Sequence, residues 1–103
     1  MRLRINIEFI GLDEIKVTKF SGSKTLKVSE FKGRVFDFDS FKMVDSKSKT
    51  DFCIGVWGGD GSLEEPWELA IKKRNYDSGK HEIVEIMHAK LQRQLIVERT
   101  IMP

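Results

Sequence analysis

His81-Glu82-Ile83-Val84-Glu85-Ile86-Met87-His88-Ala89-Lys90-Leu91-Gln92-Arg93-Gln94-Leu95-Ile96-Val97 is the stretch whose reading decides the fold class. On a helix turning roughly 100° per residue, Ile83, Val84, Met87, Leu91 and Leu95 fall within a stripe about 120° wide, and Glu82, Glu85, Gln92 and Arg93 lie elsewhere. As a strand the segment alternates poorly before Leu91. After it, Leu91, Arg93, Leu95, Val97, Arg99 and Ile101 alternate well. Asp77 or Ser78 can cap a helix start. The spacing predicts an amphipathic helix from His81 to about Leu95, with an extended tail.

The rest of the chain has a β character. Leu3, Ile5, Ile7 and Phe9 alternate with Arg2, Arg4, Asn6 and Glu8, the period of a half-buried strand. Gly11-Leu12-Asp13-Glu14 suits a hairpin connection to a strand around Ile15 and Val17. Ser21-Gly22-Ser23 breaks the chain before a short strand, Thr25-Leu26-Lys27-Val28. Phe36 and Phe38 have one parity and Phe41 and Met43 the other, so a β-bulge near Asp39-Ser40 is expected. Phe52 to Trp57 is apolar on both faces, as in a central strand. Trp67 to Lys73 reads as a strand. A helix is the alternative there, with Ser62 and Glu65 as its capping box. Tyr76 to Lys80 has the composition of a hairpin turn.

These elements predict one domain over residues 1–103. Its fold class is α+β: five to six mostly antiparallel strands in a curved sheet or small open barrel, with one C-terminal amphipathic helix across it. Leu3, Ile5, Ile7, Phe9, Ile54 and Val56 are expected in its core.

Charge is nearly balanced, with 18 Lys+Arg against 16 Asp+Glu. It is unevenly spread. Residues 1–35 carry eight basic and four acidic side chains, 36–68 three and eight, and 69–103 seven and four. A basic–acidic–basic chain can set a basic face against an acidic one and steer a partner of matching polarity. The lone cysteine, Cys53, lies in an apolar run and reads as a small buried hydrophobe. No apolar h-region follows the first residues, and no window approaches the ~20 apolar residues of a membrane span. A cytoplasmic protein without membrane attachment is expected.

Few residue groups point to chemistry. Asp37-Phe38-Asp39 puts two carboxylates on one strand face, where hard oxygens can hold Mg²⁺ in a small nuclease. His81 and His88 lack a cysteine partner for zinc. The run Trp57-Gly58-Gly59-Asp60-Gly61-Ser62 is glycine-rich but lacks the Gly-Lys-Ser/Thr of a phosphate loop. No catalytic residue, metal site or cofactor is therefore assigned. Trp57, Asp60, Glu64, Glu65 and Trp67 instead suit a recognition loop on a rigid scaffold, meeting a basic protein partner. Arg2, Arg4, Lys16 and Lys19 form a candidate basic surface for nucleic acid. The expected class is a non-catalytic binding or regulatory module of the inhibitor or immunity type. A nucleic-acid-binding domain, or a metal-dependent nuclease using Asp37 and Asp39, is the alternative. An exposed sheet edge leaves room for homo-oligomers.

Overall fold

The alternation of the first residues is realised as β1 (Arg2–Phe9), which buries Ile5, Ile7 and Phe9 and leaves Leu3 half-buried. The computed structural model describes residues 2–91 and 94–100. Within them the chain continues as β2 (Glu14–Lys19), β3 (Gly22–Lys27), β4 (Arg34–Asp37), β5 (Lys42–Asp45), β6 (Phe52–Gly58), β7 (Glu68–Arg74), β8 (His81–His88) and β9 (Gln94–Thr100). One sheet has the order β3-β2-β1-β9 and the other β5-β4-β6-β7-β8. Every strand pairing in both is antiparallel.

The two sheets share one core. Ile5, Ile7, Ile15 and Val17 of the first belong to the same buried cluster as Phe36, Ile54, Leu69, Ile71 and Met87 of the second. Val28 and Phe31, on the 3-10 turn Val28–Phe31, are buried in it too. Burying a side chain of this kind is worth about 1.5–3 kcal/mol, which makes this layered packing the main source of cohesion.

The expected α+β class is overturned. There is no C-terminal helix among the described residues. His81–His88 is an edge strand, followed by a 3-10 turn at Ala89–Leu91 and by β9, which returns to pair with β1. Among the described residues the sheets form two layers, do not close into a barrel and hold nine strands where five or six were expected. A bulge explains the misreading. Ile71 pairs with Glu85, but Lys72 pairs with Ile83, so Val84 is an extra residue. It inverts the alternation and puts Ile83 and Ile86, three apart, on one face of the sheet. With the period of two broken, Ile83, Val84 and Met87 fit the spacing of a helix stripe instead.

Two smaller expectations also change. Phe38–Phe41 is a tight turn joining β4 to β5, not a bulge, and Phe36 pairs with Met43 across it. Val56 lies at the rim of the core with 36% of its surface exposed. The strand at 67–73, the central position of β6 and the turn at 76–80 follow the sequence reading. No helix among the described residues is long and apolar enough to cross a membrane.

Candidate recognition loop

β6 lies at the middle of the five-stranded sheet, and its end delivers the chain into residues 58–66. The exit is irregular. Val56 pairs with Leu69 and Gly58 with Glu68, so Trp57 is an unpaired bulge residue, 51% exposed. The loop then folds on itself. The Asp60 and Gly61 amides donate to the Glu65 carbonyl at 2.9 and 3.1 Å. The Ser62 amide donates to Asp60 Oδ1 at 2.9 Å, and the Glu65 amide donates to Ser62 Oγ at 3.0 Å. Ser62 and Glu65 thus make the first half of a capping box without a helix behind it.

Two glycines make this fold possible. Gly59 and Gly61 have φ of +82° and +86°, a region that side chains resist. A Cβ on Gly59 would collide with the Pro66 carbonyl oxygen, and one on Gly61 with the Trp67 indole nitrogen. The Trp67 ring packs against the core and its N–H donates to Asp13 Oδ1 at 3.2 Å. This ties the loop to the β1–β2 turn in the other sheet.

The tip of this frame faces water. Leu63 is 82% exposed, and Asp60, Glu64 and Glu65 beside it are exposed too. The Ser62 hydroxyl, then its amide, donates to Asp60 and holds that carboxyl below its ordinary value. It therefore stays charged at neutral pH. The tip carries one exposed apolar side chain and three exposed carboxylates on a backbone held by its own hydrogen bonds.

The five residues expected in the loop have different roles. Asp60, Glu64 and Glu65 share the exposed tip. Trp57 is exposed on the neighbouring bulge. Trp67 is half-buried and supports Gly61 from below. Sequence reasoning missed Leu63. An isolated apolar residue within Asp60-Gly61-Ser62-Leu63-Glu64-Glu65 was the available signal.

The other candidates are dispersed. Asp37 Oδ1 accepts the Asp39 amide at 3.1 Å and Oδ2 accepts the Ser40 hydroxyl at 2.8 Å, so this carboxylate holds a turn. No group of three or more His, Cys, Asp or Glu that could hold a metal occurs among the described residues. Arg4 and Lys16 are exposed on the outer face of the first sheet, and Arg4 Nε lies 3.6 Å from Glu98 Oε1. Lys19 turns the other way, over the Phe41 ring at 4.6 Å. Arg2 pairs with Thr100 through the backbone; its side chain lies outside the described part of the structure. His81 and His88 stand at opposite ends of β8, about 23 Å apart at a strand's rise. Nε2 of His81 is 2.6 Å from the Thr50 carbonyl, and Nδ1 of His88 is 3.6 Å from Glu68 Oε1. Cys53 is buried, and burial pushes its thiol up, away from the reactive thiolate.

The chain matches no family model, no curated protein and no solved structure.

Proposed function

We propose that this chain is a non-catalytic binding module, of the inhibitor or immunity type, that recognises a protein through residues 58–66. The supporting observation is Leu63, 82% exposed at the tip of a loop braced by its own hydrogen bonds. A side chain held outward on a prefolded backbone loses little conformational entropy on binding. The partner would offer an apolar socket for Leu63 inside a basic rim for Asp60, Glu64 and Glu65. Trp57 extends the contact area. A cytoplasmic setting fits a chain whose one cysteine is buried and forms no disulfide.

The test is affinity capture from the native host, with Leu63→Ser/Glu64→Lys/Glu65→Lys as a matched bait. The wild type should retain a partner that the variant loses. With that partner purified, Glu64→Lys/Glu65→Lys should mainly slow association, and less so at high salt. Surface charges add little to folding, so the thermal midpoint should hold. A partner retained equally by both baits at low salt rules out the loop as the contact surface.

A further inference from the structure

The second sheet opens where β4 leaves β6. The two strands are in register only at Phe36 with Ile54 and Asp37 with Cys53. Ahead of those pairs, Val35 of β4 and Gly55 and Val56 of β6 border a concavity of about 510 Å³. Trp67 and the Val28–Phe31 turn form further parts of its wall. Gly55 contributes no side chain to fill the gap. A Cβ there would press on Val35 Cγ1 at 3.0 Å.

The lining is one-sided in charge. Lys32, Arg34 and Lys72 all border the concavity, and no carboxylate does. None of the three appears in an ion pair among the described residues. The nearest acid in register, Asp45 opposite Arg34, accepts the Lys47 amide at 2.7 Å through Oδ1. Lys72 is itself half-buried. Cations beside an apolar wall attract anions more strongly than cations in open water. The volume also lies within the roughly 300–1,000 Å³ typical of small-molecule sites.

We infer that this concavity is a binding site for a small organic anion. The apolar body of the ligand lies against Val35, Val56 and Trp67. Its carboxylate, sulfonate or phosphate lies among Lys32, Arg34 and Lys72, where the guanidinium can bind two oxygens at once. The site does not depend on the recognition loop, although Trp67 borders both. The Trp67 indole N–H is therefore a natural reporter of occupancy.

The test is titration of the full chain with 1-anilinonaphthalene-8-sulfonate, an apolar ring system carrying one negative charge. One saturable site per chain is expected. Arg34→Glu/Lys72→Glu should weaken it by about tenfold or more. Arg4→Glu/Lys16→Glu makes the same charge change on the other sheet and should leave the affinity unchanged. The uncharged analogue N-phenyl-1-naphthylamine should bind at least about tenfold more weakly. Amide and indole chemical shifts on the wild type keep the test independent of variant folding. Gly33, Gly55, Val56 and the Trp67 indole should move, and Asn6, Thr18 and Phe20 should not. The inference fails if no saturable site is seen, if both charge-reversed variants lose affinity equally, if the neutral analogue binds as well, or if the shifts fall at Asn6, Thr18 and Phe20.

Discussion

The turn Phe38–Phe41 and the loop 58–66 are built with the same polar device. In each, an aspartate accepts the amide two residues on: Asp37 from Asp39, Asp60 from Ser62. In each, a serine three or two residues beyond that aspartate adds a second bond: Ser40 to Asp37, and Ser62 from Glu65. The apolar side chains then go opposite ways. Phe38 is fully buried, its ring centroid 4.6 Å from that of Phe52. Phe41 packs edge-on against Phe36 at 5.2 Å, with Lys19 and Lys24 over its ring and Lys24 Nζ on its carbonyl at 2.7 Å. Leu63 touches none of this and stands 82% exposed. The first segment closes the core. The second has the same local order without a core to serve, which is what a presented surface requires.

That contrast can be broken by mutation. Phe38→Ala should cost about 3–5 kcal/mol, because it removes a buried ring and leaves a cavity. A lowered urea midpoint is the measurement. Gly61→Ala should cost about 1–3 kcal/mol, from the strained φ and the collision with Trp67. It should also shift Trp67 fluorescence, and an unchanged emission would mean that the indole does not support the loop.

Asp60→Asn tests the charge at the tip. The Asp60 carboxyl is held below its ordinary value in the folded chain. A depressed pKa contributes stability above the unfolded value, and that contribution is lost as pH falls through the folded value. Wild type and Asp60→Asn should therefore differ slightly near neutral pH and converge in acid. A gap that widens in acid has the wrong sign. The smallest effect belongs to Leu63→Ala, which should leave stability within about 0.5 kcal/mol. A cost near that of Phe38→Ala would make Leu63 a core residue and erase the contrast.

Some of this was legible in the sequence. Leu3 to Phe9 alternates because β1 has no irregularity, and the hairpin turns carry their glycines and polar residues openly. β8 was not legible, because the extra Val84 breaks the period of two and lets Ile83, Val84 and Met87 fit a helix stripe. A bulge is decided by pairing with β7, which no local window contains. The parity change between Phe38 and Phe41 was visible, but a bulge and a tight turn produce it equally well. In the loop, the acidic residues and glycines pointed to exposure. Nothing local separated Trp57 from Trp67, since one sits in a bulge and the other is set by Gly61 and by Asp13, 54 residues away. The cationic concavity was hidden for the same reason: Lys32, Arg34 and Lys72 meet only after β4, β6 and β7 have formed.

Amide hydrogen exchange of residues 58–66 on the isolated chain is the most direct measurement of a preformed loop. The Asp60, Gly61, Ser62 and Glu65 amides are all bonded within the loop, so they should exchange more slowly than in a free peptide of the same sequence. Leu63→Ala should leave that protection intact, and Gly61→Ala should reduce it. Exchange of the four wild-type amides at free-peptide rates would show a loop that orders only on binding, contradicting a surface prefolded for its partner.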